Sequence, residues 1–115
     1  MLRRPKAPNM KTVIDRMVKR IVAQFHPEQV ILFGSHARGD AGPDSDVDLL
    51  VVMPVDGSVR EKRLDIRLAL RDFFIPVDII VTSPENFAWR KKIVGTIEWP
   101  AAHEGKVLYV RTSTT

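Results

Sequence analysis

A glycine–serine pair followed by two closely spaced carboxylates is the part of the chain best suited to chemistry. Gly34 and Ser35 end one apolar run, and Asp46 and Asp48 open the next, with Val47 between them. Side chains alternate across a strand, so the two carboxylates point to one face. Two carboxylates at such a short distance repel each other unless a cation lies between them. Hard oxygen ligands of this kind suit Mg²⁺. Because glycine lets a phosphate approach the backbone closely, the pattern predicts a site for a metal and a nucleotide.

A third carboxylate occurs later in the chain. Asp78 is the only charged residue in the apolar run 75–81. The ordinary interpretation is a solvated aspartate at the edge of a strand, or one that caps a turn. However, an ionised aspartate is rarely placed among isoleucines and valines without a partner, and a bound metal ion would be such a partner.

Composition limits the classes of protein that fit. With 115 residues and 44% hydrophobic content, the chain is predicted to form one compact domain with its own core. It has no cysteine, which excludes disulfides and zinc–thiolate sites and gives no indication of secretion. The apolar runs are too short to span a bilayer, and no apolar signal segment follows the basic N-terminus. A cytoplasmic protein without membrane association is therefore expected.

Positive charge is concentrated at the N-terminus. Residues 1–20 carry a net charge of +6 and the whole chain carries +4, so residues 21–115 carry −2. A basic run of this kind is usually a solvated face or a mobile arm, and less often a docking surface for nucleic acid or an acidic partner. Nucleic acid is accordingly not expected as a direct substrate. The run Arg90, Lys91 and Lys92 is likewise expected on the solvated side of a helix.

Alternating helices and strands are predicted to position these residues. The predicted elements are a helix from Asn9 or Thr12 to about Phe25, strands at 29–33, 46–53 and 76–82, helices at about 59–73 and about 84–93, a broken helix within 95–105, and a strand at 106–110. In the second helix, Leu64, Leu68, Phe73 and Phe74 are expected to face the core. Residues 1–8 are predicted to form a flexible basic arm and residues 9–115 a single domain. The fold class is α/β (α+β), a small mixed β-sheet with helices packed against it.

The motif resembles a known signature. Gly34-Ser35, ten residues and then Asp46-Val47-Asp48 are similar to the signature of the nucleotidyltransferase superfamily related to DNA polymerase beta. The small size and the continuation Ala37-Arg38-Gly39 resemble the minimal nucleotidyltransferases (MNT) in particular. The resemblance covers roughly residues 10 to 110 and implies a polymerase-beta-like core.

The resemblance implies roles for the motif residues. Asp46 and Asp48 would hold two Mg²⁺ ions, and Asp78 would bind the ion on the acceptor side and serve as a general base. Gly34 and Ser35 would contact the phosphates of ATP. The residues themselves do not decide whether Arg38 contacts a phosphate or forms an ion pair, for instance with Asp44.

The resemblance also implies a partner. Minimal nucleotidyltransferases are commonly antitoxins of helical HEPN ribonuclease toxins, and they inactivate the toxin by transferring AMP from ATP to a tyrosine. No acceptor-binding domain is recognisable in the chain, so the acceptor would be held by another polypeptide or by a second copy, in a homo- or hetero-oligomer. Two alternatives stay open: a non-catalytic antitoxin module that binds nucleotide and acts by contact, and a nucleotidyltransferase for small molecules such as aminoglycosides.

Overall fold

Helices and strands alternate along residues 9–112, the part of the chain that the computed structural model describes. The elements are α1 Met10–Phe25, β1 Gln29–Phe33, α2 Ser35–Arg38, β2 Val47–Val52, α3 Val59–Ala69, a 3₁₀ turn Arg71–Phe73, β3 Val77–Thr82, α4 Pro84–Arg90, α5 Glu98–Glu104 and β4 Lys106–Val110. The predicted mixed α/β class is confirmed, and the bounds of β1 and β4 are those expected. The predicted arm at 1–8 lies outside the described residues.

The four strands form one mixed sheet in the order β3-β2-β1-β4. Strand β1 is antiparallel to both β2 and β4, whereas β2 and β3 are parallel and are connected through α3. The C-terminal end of β1 therefore lies beside the N-terminal ends of β2 and β3. This topology brings the Gly-Ser turn and the three predicted carboxylates to one end of the sheet.

Each face of the sheet is covered by its own helices. Helices α1 and α3 pack on one face, and their contacts with it form the larger hydrophobic cluster. Helices α4 and α5 cover the other face through a smaller cluster that includes Phe87 and Ala101. In β2 the buried residues Val47, Leu49 and Val51 face α1 and α3. The alternation of side chains therefore directs Asp48 to the face that α4 and α5 partly cover.

Helix α1 follows its predicted pattern. The Asn9 side chain caps it by accepting a hydrogen bond from the Thr12 N–H at 2.9 Å, and the helix ends at His26 in the left-handed conformation. Its buried residues are Ile14, Met17, Val18 and Ile21. None of the helices in residues 9–112 has both the length and the apolar character needed to cross a membrane.

The prediction for α3 was wrong in two respects. The helix ends at Ala69 and continues as a 3₁₀ turn, and three of the four residues expected in the core are exposed: Leu64 by 55%, Leu68 by 50% and Phe74 by 92%. Ile66 and Leu70 are buried instead. Two positions along a helix correspond to a rotation of about 200°, so burying Ile66 turns Leu64 and Leu68 towards solvent.

A buried carboxylate connects α4 and α5 to the sheet. The Glu98 side chain is 4% exposed; it accepts a hydrogen bond from the Thr82 hydroxyl at 2.9 Å and two from the Arg90 Nε–H at 3.0 Å each. The expectation that Arg90 lies on a solvated face was therefore only partly right, because its side chain is 37% exposed but its Nε–H is paired with Glu98. A buried carboxylate needs a charged partner, and Arg90 supplies it where α4 ends.

Candidate active site

The turn after β1 is built around Gly34. Its backbone has φ 73° and ψ −155°, a conformation that side-chain-bearing residues rarely adopt. A Cβ atom at this position would lie only 2.2 Å from Oδ2 of Asp48. Glycine is therefore required for two reasons, the backbone angle and the close approach of the Asp48 carboxylate. The first half of the motif is in direct contact with the second.

Helix α2 is a single turn that begins at Ser35. The N–H groups of Ala37 and Arg38 donate to the Gly34 carbonyl oxygen at 3.1 and 3.0 Å. The N–H groups of Ser35 and His36 come before the first hydrogen bond of the helix, so the helix itself offers them no acceptor, as in the first turn of any helix. They lie next to Gly34, so a phosphate above this turn would meet a backbone without a side chain and a serine hydroxyl.

The two strand aspartates are direct neighbours. Asp48 in β2 and Asp78 in β3 are paired positions of the parallel ladder, so their side chains leave the same face of the sheet. Both are half-buried. Asp46 immediately precedes β2 and is exposed. The structure thus brings Asp46, Asp48 and Asp78 to the end of the sheet that also holds Gly34.

The carboxylates act on one another electrostatically. Burial raises the pKa of Asp48 above its ordinary value, and the negative charges of Asp78 and Asp46 raise it further. His36 and Arg38 oppose this effect and lower the pKa of Asp48. An excess of negative charge at a half-exposed position is the electrostatic condition for binding a cation.

The positive group in contact with these acids is Arg63 of α3. Its Nη2 atom lies 3.4 Å from Oδ1 of Asp78, and both side chains are 43% exposed. Sequence reasoning missed Arg63 because the contact depends on how α3 packs beside β3. The sequence pattern around Arg63 contains no signal that would have identified it.

The donor set fits Mg²⁺, although the side chains as they stand do not form a closed metal site. Within residues 9–112, no group of three or more His, Cys, Asp or Glu side chains is placed to hold an ion. The three acids supply only oxygen donors, and their partial exposure leaves room for the water and phosphate ligands that Mg²⁺ keeps. Two bound Mg²⁺ ions therefore stay a prediction, with Asp46, Asp48 and Asp78 as ligands.

The loop between α2 and β2 is held by local contacts. Arg38 pairs with Asp40, with its Nε atom 3.3 Å from Oδ2, rather than with Asp44. Both side chains of this pair are largely exposed, so Arg38 could turn towards a phosphate at little cost. Nε2 of His36 lies 3.2 Å from the Ser45 carbonyl oxygen. This contact connects the turn after β1 to the residue before Asp46.

Comparison with known proteins gives the family. Residues 14–101 match the family model described as "Nucleotidyltransferase domain". A Methanocaldococcus jannaschii protein named as a proposed protein adenylyltransferase is 38% identical over an alignment of 105 residues that covers 88% of this chain and 99% of that protein. A second M. jannaschii protein with the same type of name is 40% identical over 55 residues, which are 48% of this chain and 54% of the other.

Solved structures show the same fold. A proposed nucleotidyltransferase from Sulfolobus solfataricus has a TM-score of 0.59 at 24% identity, covering 89% of this chain and 81% of its own. A chain of a toxin–antitoxin complex solved with AMP-PNP has a TM-score of 0.59 at 17% identity, covering 84% and 73%. A chain of the complex between a tri-AMPylated Shewanella oneidensis HEPN toxin and its MNT antitoxin has a TM-score of 0.53 at 15% identity, covering 88% and 72%.

The family match spans most of the chain, and the first relative matches over nearly its whole length. Both agree with the resemblance seen in the Gly34–Asp48 motif, which is thereby confirmed. The chain belongs to the nucleotidyltransferase family and is a nucleotidyltransferase.

Proposed function

We propose that this protein is a Mg²⁺-dependent adenylyltransferase that transfers AMP from ATP to a hydroxyl group of a partner protein. The observation that carries the proposal is the close packing of Gly34 against Asp48, with Asp78 paired to Asp48 on the next strand. A phosphate-accepting turn and an acidic cluster are thereby placed side by side. The name of the 38% identical relative supports a protein as the acceptor.

The phosphate end of the site is the turn after β1. Gly34 has no side chain, so the triphosphate of ATP can lie close to the backbone. The hydroxyl and N–H of Ser35 donate hydrogen bonds to its phosphate oxygens. Arg38 leaves the exposed Asp40 and adds a positive charge on the same side.

The acidic end of the site carries out the transfer. Asp46, Asp48 and Asp78 would hold two Mg²⁺ ions, which would supply positive charge to the attacking and leaving oxygens. Asp78 accepts the proton of the acceptor hydroxyl. The acceptor oxygen forms a bond to the α-phosphorus, and the bond from this phosphorus to pyrophosphate breaks. AMP remains on the acceptor, and pyrophosphate leaves with the bonding electron pair.

The proposed acceptor is a tyrosine of a helical HEPN-type toxin in the cytoplasm. Structural neighbours from toxin–antitoxin complexes, one of them with an AMPylated HEPN toxin, support this partner. Such a pair makes the protein an antitoxin that acts by modification.

Label transfer tests the proposal. The purified chain is incubated with Mg²⁺, α-³²P-ATP and a lysate of its native host, and labelled proteins are separated by gel electrophoresis. We expect a labelled protein band with the wild type and with Asp44→Asn, an exposed carboxylate of the preceding loop. Asp46→Asn removes a proposed metal ligand and should abolish the band.

Three other outcomes would contradict the proposal. Mg·ATP binding without any labelled protein would indicate a small-molecule acceptor or an antitoxin that acts by contact alone. Calorimetric titration that shows no Mg·ATP binding would contradict the active site itself. If the Asp46→Asn variant still neutralised the partner, neutralisation would depend on contact and not on catalysis.

A further inference from the structure

Arg63 is the one cationic residue in residues 9–112 that forms an ion pair with any of the three proposed metal ligands. The distance of 3.4 Å between its Nη2 and Oδ1 of Asp78 is long for a charge-assisted hydrogen bond. The Nε–H of Arg63 is buried and has no hydrogen-bond partner. The guanidinium group is therefore close to the acidic site but weakly held there.

The route by which Arg63 reaches Asp78 explains this weak hold. Helix α3 packs through Ile66 on one face of the sheet. Asp78 points to the opposite face, the same face as Ile80. Strand β3 is an edge strand, and the Arg63 guanidinium of α3 lies 3.4 Å from the Asp78 carboxylate on the other face. Because the Arg63 side chain is 43% exposed and Ile66 makes the core contact of α3, its Nη2 can move away from Asp78 into solvent while the core contact stays in place.

We propose that Arg63 is a positioning residue that serves as the counter-ion of Asp78 when no divalent cation is bound, and that it competes with the cation for this carboxylate. The proposal rests on the metal site of the proposed function. In the cation-free protein the guanidinium reduces the repulsion among three neighbouring acids. A divalent cation that binds Asp78 must displace the arginine, so Arg63 raises the cation concentration at which the site fills.

Binding of Mn²⁺ to the full chain, measured by electron paramagnetic resonance in the absence of nucleotide, tests this competition. Arg63→Met removes the competing charge, and we expect it to bind Mn²⁺ about three- to fivefold more tightly, the range of a half-exposed ion pair. Arg63→Lys keeps the charge and should stay near the wild-type affinity. Arg67→Met, one turn further along α3 and exposed, is the matched control and should change the affinity by less than about twofold.

A double-mutant cycle identifies the carboxylate. In an Asp78→Asn background, Arg63→Met should no longer change Mn²⁺ affinity, because the shared ligand is gone. Unchanged or weaker Mn²⁺ binding by Arg63→Met, with the wild-type circular dichroism spectrum, would overturn the proposal and leave the proposed function intact. A wild-type protein that binds no Mn²⁺ would overturn the metal site and with it the competition. Thermal melting adds a second readout: Arg63→Met should lower the melting temperature in EDTA, and saturating Mn²⁺ should remove the difference.

Discussion

Asp48 and Glu98 are two carboxylates on one side of the same sheet, but they differ in their burial and in the charges around them. Glu98 is almost fully buried and is satisfied by Thr82 and Arg90 of its own chain. Asp48 is half-buried beside Asp46 and Asp78, and its pKa is raised by burial and by their charges. A carboxylate that only stabilises the fold is paired within the fold. One that is left with like charges retains the ability to bind an external cation.

The largest expected effect comes from removing the charge at the unpaired carboxylate. Asp48→Asn should reduce AMP transfer by about 10³-fold or more, because several kcal/mol of metal-dependent stabilisation of the transition state are lost at about 1.36 kcal/mol per factor of ten. Initial rates with α-³²P-ATP and the labelled acceptor check this. Asp44→Asn in the preceding loop is the control. A variant that keeps a tenth of the wild-type rate would mean that Asp48 is not a metal ligand.

Removing the charged partner of Glu98 should lower the stability of the fold rather than the rate of AMP transfer. Arg90→Met leaves buried Glu98 without its charged partner, and we expect the free energy of unfolding in urea to fall by about 3 kcal/mol. Replacing both residues, Arg90→Met with Glu98→Met, should recover part of this loss. Lys92→Met at an exposed neighbouring position is the control. A lowered rate of AMP transfer per folded molecule in Arg90→Met would show that the two regions are coupled, contrary to the comparison.

Two glycines with positive φ, but with different ψ of −155° and 11°, allow the effects of strain and of collision to be compared. Gly34 and Gly39 both have positive φ, 73° and 86°, but only a Cβ at Gly34 would collide with Asp48, while Gly39 has open space. Gly39→Ala should cost about 1 kcal/mol of stability through strain alone. Gly34→Ala should also displace Asp48 and lower AMP transfer by about 10²-fold. Equal rates in the two variants would contradict a functional contact between Gly34 and Asp48.

The smallest effect is a pH dependence of stability. Asp48 has a folded-state pKa above its unfolded value near 3.8, so its ionised form destabilises the folded state relative to the unfolded state. In EDTA, Asp48→Asn should therefore be more stable than the wild type at neutral pH, by less than about 1 kcal/mol because solvent screens a half-exposed group. This advantage should disappear as the pH falls through the raised pKa towards 3.8, where the wild-type carboxyl is protonated. Melting temperatures between pH 4 and 7 test it, and an advantage that grows on acidification would refute the assignment.

Local signals were sufficient for much of the fold. The Asn9 cap, the apolar stripe of α1 and the bounds of β1 and β4 follow from periodicity and from residues that start or stop an element. The apolar residues of α3 occupy more than one side of the helix, so the pattern alone did not decide between Leu64 and Ile66 for the core. The packing of α3 against the sheet selected Ile66.

The sequence by itself determined the motif and therefore the chemistry, since Gly34-Ser35 and Asp46-Val47-Asp48 lie close together in the chain and their spacing can be read directly. The sequence also pointed to Asp78, but only the tertiary structure places it beside Asp48 and brings Arg63 to it. Asp78 meets Asp48 through the parallel register of β2 and β3, and Arg63 meets Asp78 through the packing of α3 beside β3. Such contacts depend on strand order and helix packing, which arise from burial over the whole chain and leave no periodic signal at the residues concerned.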